Sequence, residues 1–280
     1  MDSNSATTHE ATGTTPADWA LAWREHLLRS GLEANLRRTG VSEEAFWQRF
    51  GKWTETLERE GYPGELLDRA LQLVHPADRV LDIGAGAAGT YSIPLAHVVA
   101  HVTAVEPSPV QASRLEENVR AAGLENVTVV RSRWEDVDIS TLGEHDVVLA
   151  VFCFQMRDIR AALEAMCSAA RRSLVLIHAA SHDLTETLRD LLGVAPGPNY
   201  VYLREVLRSM GHDPQVELVA RTYRVPLETQ LDIFRYNPGL SDDQCRRLRD
   251  HLESEGRLLD GDGEVVLERT SIAAFMHVAF

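Results

Sequence analysis

With 280 residues, 44% of them hydrophobic and 25% charged, the chain is long enough for one large α/β domain with an appended segment, and its core should be sizeable. Its formal charge, 28 − 42 = −14, sets an acidic surface against phosphate backbones and disfavours a nucleic-acid substrate. No apolar run approaches the roughly 20 residues of a membrane-spanning helix, and Cys153, Cys167 and Cys245 have neither zinc-site nor disulfide spacing, so a soluble, cytoplasmic protein with no metal site and no membrane partner is expected.

Residues 1–17 are rich in Ser, Thr and Ala, without a basic stretch followed by an apolar one, and read as a disordered tail. A helical segment follows over 18–75. Trp19, Trp23 and Leu27 recur at helical spacing, Leu28, Leu32 and Leu36 extend the stripe, and Gly40 ends it. Ser42 is a good N-cap for a second helix, with Glu43 and Glu44 favourable at its positive end and Phe46, Phe50, Trp53 and Leu57 on one face. Gly61 and Pro63 stop it, and a third helix is expected over 65–74.

From residue 76 onward the pattern alternates. Short apolar strands are expected at 79–83, 101–105, 127–130, 146–152 and 173–177, separated by helices at 90–99, 108–122 and 160–170. Strands apolar on both faces indicate a parallel sheet covered on both sides. Beyond them, helices are expected at 202–210, 226–234 and 242–255, and strands at 216–225, 265–267 and 271–278. Asp260-Gly261-Asp262-Gly263 is too short for a calcium loop and reads as a turn.

The first strand opens onto Gly84-x-Gly86-x-x-Gly89, a spacing that lets backbone approach a nucleotide and serves several cofactors equally well. The surrounding acids narrow the choice. Asp82, two residues before the first glycine, would repel a pyrophosphate but suits the ammonium group of a sulfonium amino acid. Glu106, at the end of the second strand and about 20 residues past the loop, is placed to accept ribose hydroxyls. Trp134-Glu135-Asp136 after the third strand offers a ring and an acid for adenine. Taken singly, Asp82 could cap loop amides, Glu106 could be a solvated strand end, and Trp134 could be core.

As a set, these residues resemble the class I, Rossmann-like S-adenosylmethionine-dependent methyltransferases. Val80-Leu81-Asp82-Ile83-Gly84-Ala85-Gly86 is similar to that family's first motif, Val102-Thr103-Ala104-Val105-Glu106-Pro107-Ser108 to its ribose motif, and His145-Asp146-Val147-Val148-Leu149-Ala150 to its fourth strand. The resemblance spans 79–180. It implies a doubly wound, mostly parallel seven-stranded sheet with the last strand antiparallel over 76–280, and an N-terminal helical lid. S-adenosylmethionine would then contact Asp82, Gly84, Ala85, Gly86, Gly89, Glu106, Pro107, Trp134, Glu135 and Val151. Where the family often has Gly-Asp-Ala after the third strand, this chain has Arg131-Ser132-Arg133.

Methyl transfer needs an aligned nucleophile and, if that nucleophile is protonated, a base. The catalytic candidates are His178, after the fifth strand, and Gln155, after the fourth; each has a structural alternative, as a packed histidine or a loop amide. His178-x-x-x-His182 leaves a strand and does not suggest a metal. The segment Phe152-Cys153-Phe154-Gln155-Met156 lacks the Asn-Pro-Pro-Tyr pattern of base and protein-amide methylation, which favours a small-molecule substrate. Phe152 and Phe154, with Phe46, Trp47, Phe50 and Trp53 of the lid, are its candidate contacts. Phe50 is better suited to core packing and Trp47 to covering a ligand, and a lid of this kind would be dispensable for folding when 1–61 are deleted. A nicotinamide-dependent oxidoreductase and a catalytically silent cofactor-binding subunit are the alternatives. Nothing in the sequence indicates the oligomeric state.

Overall fold

A computed structural model describes residues 16–280 apart from Ala195 and Asp262. The tail expected over 1–17 lies outside the described residues except for positions 16 and 17, which begin a helix. The sheet has the order β3-β2-β1-β4-β5-β8-β6, with a short β7 paired to β8. Its strands are β1 (Arg79–Ile83), β2 (His101–Val105), β3 (Val127–Val130), β4 (His145–Val151), β5 (Ala170–His182), β6 (Gln215–Pro226), β7 (Leu258–Asp260) and β8 (Val265–Ala279). The first five pair in parallel, and β8 runs antiparallel to β5, β6 and β7. This is the expected doubly wound fold with its antiparallel strand, carrying one small strand more than the seven expected.

Alternate residues of β1 feed the two faces. Leu81 and Ile83 join Leu174, Leu176 and Met276 on one side; Val80 joins Leu149, Val175 and Phe275 on the other. The second face is covered by α4 (Glu65–Gln72) and the short α5 (Ser92–Ala96), the first by α1 (Pro16–Ser30), α7 (Ile159–Ala169) and α9 (Tyr200–Ser209). Because strand order reverses at β1 and β4, the crevice at their carboxyl ends is where a ligand fits an open α/β sheet.

The N-terminal helices divide differently from the expected lid. The stripe expected to run to Gly40 breaks at Gly31 into α1 and α2 (Leu32–Thr39), because Gly31 is extended at φ −66°, ψ 168° and a Cβ there would stand 2.5 Å from the Leu27 carbonyl oxygen. Helix α1 is core. Trp23 is 1% exposed and its indole N–H donates to the Met156 carbonyl at 2.9 Å, so this helix packs into the main core beneath the sheet as well as preceding the roof. The crevice is roofed by α2, α3 (Glu43–Arg59) and α4, with Leu27 and Leu28 at the end of α1 beside them, and α3 starts after Ser42, whose hydroxyl accepts from Ala45 N–H at 3.2 Å.

The C-terminal part forms its own cluster. Helices α8 (Thr185–Leu192), α10 (Leu227–Tyr236) and α11 (Asp242–Ser254) pack on Val225 and Leu267 at the outer end of the β6–β8 ladder. The two late strands expected at 265–267 and 271–278 are one strand of 15 residues. Charged and hydroxylated residues at 268–271 interrupt the apolar pattern but not the pairing, since Thr270 faces Thr222 and Arg269 faces Tyr223.

Candidate functional site

Helix α6 (Pro109–Ala121) follows β2 and flanks the glycine loop that follows β1. The Gly84 and Ala85 N–H groups both donate to the Val105 carbonyl, at 2.8 and 3.2 Å, pinning the loop to the end of β2. Gly84 has φ 74°, and a Cβ on it would stand 2.3 Å from Cys153 Cβ, so no other residue fits there. Gly86 has nothing within 4 Å of its missing Cβ and opens onto free space. Ala87 N–H donates to Gln111 Oε1 at 2.8 Å, and Asn118 Nδ2 donates to the Ala87 carbonyl at 2.8 Å.

Two buried carboxylates stand at this loop. Asp82 is 2% exposed, accepts from Ser92 Oγ at 2.5 Å, and is pushed up to about 6, chiefly by burial, with the Ser92 bond opposing and Glu106 adding. Glu106 is 5% exposed and accepts from the Gly86 N–H at 3.0 Å and the Ser108 N–H at 2.9 Å; burial raises its pKa against those two bonds. Above them lies the Tyr91 hydroxyl, buried with no partner of normal hydrogen-bond geometry and facing Tyr62, which burial pushes up to about 12.

The crevice is a cleft of about 1920 Å³, ample for a nucleoside cofactor and a second molecule. Its roof is tied to the glycine loop's surroundings and to the segment after β3. Gln111 Nε2 donates to the Trp47 carbonyl at 3.2 Å, Thr90 Oγ1 to Glu58 Oε1 at 3.0 Å, and Arg133 pairs with Glu43 at 3.2 Å. Gln155 Oε1 accepts from the Leu32 N–H at 3.4 Å, joining the loop after β4 to α2.

Of the expected cofactor contacts, Asp82, Gly84, Ala85, Gly86, Glu106, Pro107, Glu135 and Val151 line this cleft. Two are placed elsewhere. Trp134 is 4% exposed in the core, its indole N–H donating to the Ala162 carbonyl at 3.1 Å, so it offers adenine no surface. Gly89 does not line the cleft; it lets α6 and α5 approach, where a Cβ would meet Leu115 Cδ1 at 2.7 Å.

Among the expected substrate contacts, Phe46, Trp47, Phe50, Trp53 and Phe152 line the cleft, whereas Phe154 is buried beneath it. The assignment of Phe50 to the core is corrected: Phe46 and Trp53 are buried beside Leu36 and Tyr236, and Phe50 is 40% exposed. Trp47 donates its indole N–H to Glu43 Oε1 at 3.3 Å. Phe152 has φ 49°, a conformation a non-glycine residue rarely adopts, and presents its ring 42% exposed to the cleft.

Of the catalytic candidates, Gln155 lines the cleft and His178 does not. The His178 ring lies behind Phe152 and Phe154 and beside Trp23, its Nε2 3.2 Å from the Pro198 carbonyl and its Nδ1 buried without a partner. Burial pushes its pKa down to about 4, which leaves it neutral and weakly basic. No histidine lines the cleft, and no cluster of His, Cys, Asp and Glu suited to a metal ion exists, among the described residues.

Sequence reasoning missed Ser92, Gln111, Glu58, Tyr62, Tyr91 and the β6 residues Arg221 and Tyr223. Gln111 carried a readable signal, lying three residues beyond the N-cap Ser108 on the helix after the ribose motif. The others approach only through tertiary packing.

Residues 80–174 match the sequence family described as a methyltransferase domain. Among solved structures, the YcgJ protein of Bacillus subtilis is similar at TM-score 0.55 and 17% identity, over 76% of this chain and 97% of that one. The precorrin 8w decarboxylase of Methanobacterium thermoautotrophicum is similar at TM-score 0.50 and 16% identity, over 78% and 90%. At such identities the likeness is one of fold. No curated protein matches the chain in sequence. The matched stretch spans the glycine loop, both buried carboxylates and β4, so residues 80–174 carry a methyltransferase domain.

Proposed function

We propose that the chain methylates a small molecule held between the aromatic roof of α3 and the sheet edge formed by the end of β4 and the neighbouring parts of β6 and β8. The observation that carries this reading is the roofed cleft. Helix α3 is fastened to the glycine loop through Gln111 and Thr90, and Phe46, Trp47, Phe50, Trp53 and Phe152 line the space beneath it. A nucleic-acid duplex would need an open, basic groove. Here acids such as Glu43, Glu58, Glu60 and Glu65 line the rim, and Arg133 and Arg157 are already paired with Glu43 and Glu33.

The residues at the glycine loop fit S-adenosylmethionine. Gly86 leaves room for the ligand, Glu106 faces the cleft with lone pairs for ribose hydroxyls, and Asp82 offers a buried negative charge to an ammonium group. Glu135, with Arg133 nearby, takes the adenine end in place of Trp134. When bound, the cofactor supplies an electrophilic methyl group. The protein's own work is to hold the acceptor in line, exclude water under α3, and let the aromatic rings face positive charge. Gln155 orients the acceptor, and His178 supports the Phe152 ring rather than moving a proton. The catalytic domain includes α1, so the lid reduces to 32–72. No helix among the described residues is long and apolar enough to cross a membrane; the free thiols of Cys153, Cys167 and Cys245 suit a reducing compartment, and we place the protein in the cytoplasm on that ground.

Release of S-adenosylhomocysteine from the full chain, measured against a metabolite panel and against RNA and DNA oligonucleotides, tests this reading. Turnover with a metabolite supports it; turnover with polynucleotide alone overturns it.

A further inference from the structure

On the far side of the cleft from the glycine loop, Arg221 of β6 faces the space under α3. Its guanidinium carbon lies over two rings, 5.4 Å from the Tyr62 centroid and 4.8 Å from the Tyr223 centroid. Its Nη2 donates to the Leu57 and Glu60 carbonyls at 2.9 and 3.1 Å, the exposed carbonyl end of α3. Its Nε and Nη1 have no acceptor, and it has no ion-pair partner, among the described residues. By contrast, Arg133 and Arg157, which also line the cleft, each pair with a glutamate.

A helix end alone would be served by any cation, and a surface arginine would need no ring against it. Two ring contacts and two carbonyl bonds hold the guanidinium in place, so its free donors keep one position. That is how a planar anion is recognised. Registry sets the reach. Ile83 at the loop aligns across the sheet with Val216, four strands over from β1, and Arg221 lies five residues, about 17 Å, further along β6. The lining in this part of the cleft includes Phe152, Val219, Ala273 and Tyr62, with the hydroxyls of Thr222 and Ser271 among them.

We propose that Arg221 is a specificity determinant that binds a carboxylate of the substrate, and that the substrate is an elongated, largely apolar or aromatic acid whose anionic end lies opposite the end that is methylated. This deepens the small-molecule reading and rests on it for the position of the methyl donor. The test uses the full chain saturated with S-adenosylhomocysteine and a series of phenylalkanoates, from phenylacetate to 6-phenylhexanoate, each beside its methyl ester, titrated by calorimetry. Wild type should prefer at least one acid over its ester by about tenfold or more. Arg221→Gln should lose that preference while keeping its affinity for S-adenosylhomocysteine, and Arg221→Lys, which keeps the charge and the helix cap, should retain part of it. Absence of any acid preference in wild type, or an equal preference in Arg221→Gln, overturns the assignment. Failure of wild type to bind S-adenosylhomocysteine instead overturns the reading beneath it, and the acid series then reads out on the ligand-free protein.

Discussion

Replacing Asp82 by Asn separates stability from cofactor binding. The carboxyl sits at about 6 in the folded protein against 3.8 for the ordinary group, because burial disfavours its charge more than the Ser92 hydroxyl favours it. That interval corresponds to about 3 kcal/mol at neutral pH. The sign is unfavourable: the folded state holds the proton more tightly than the unfolded chain, so the wild type is least penalised below about pH 4 and loses stability as pH rises through about 6. Asn keeps an oxygen for Ser92 and removes the charge. In the absence of ligand at about pH 7.5, the variant should gain about 2–3 kcal/mol in urea unfolding and melt on the order of 5 °C higher, and the gain should vanish near about pH 4. It should also bind S-adenosylmethionine at least about tenfold more weakly, having lost the partner of the ammonium group. A ligand-free variant less stable than wild type at neutral pH, or a gain unchanged in acid, would refute the reasoning.

Glu106→Ala removes the acceptor of two loop N–H groups as well as the proposed ribose partner; amide exchange at Gly86 and Ser108 should accelerate and S-adenosylhomocysteine affinity fall by about 10- to 100-fold in calorimetry. Gly84→Ala should destabilise by about 2 kcal/mol or more in denaturant unfolding, since its Cβ would overlap Cys153 Cβ, and the double variant Gly84→Ala/Cys153→Gly should recover part of the loss. Trp23→Ala should cost about 3–5 kcal/mol, and a chain lacking residues 1–61 should not yield a cooperative thermal transition, because the indole fills the core and bonds Met156. His178→Gln should leave kcat within a few-fold and the pH–rate profile unmoved; loss of one limb of that profile would restore His178 as a base.

The glycine loop and its flanking acids were legible because their signals are local. Asp82 and Gly84 lie two residues apart and Glu106 ends the next strand, and the apolar runs around them are short and uniformly buried, as parallel strands are. The expected contact at Trp134 failed for a definite reason: position along the chain does not tell which side of a 3-10 turn a ring faces, and the Ala162 carbonyl drew the indole into the core. Phe50 and Phe46 are one helical turn apart, so periodicity put both on one face, while Tyr236, 190 residues from Phe46, decided which was covered. His178 follows strand polarity to the edge expected of it, yet alternation turns its ring toward α1. Arg221 gave no signal at all, because the two rings it lies over come from α3's following loop and from β6 itself, meeting only in the folded chain.

The central claim is that the glycine loop with its two buried acids holds S-adenosylmethionine. Calorimetric titration of the full chain with S-adenosylmethionine and, in parallel, with NADH tests it most directly. Saturable binding of S-adenosylmethionine at one site, lost in Glu106→Ala, with none of NADH, is the predicted result; binding of NADH instead, or S-adenosylmethionine affinity indifferent to both Asp82→Asn and Glu106→Ala, would contradict it.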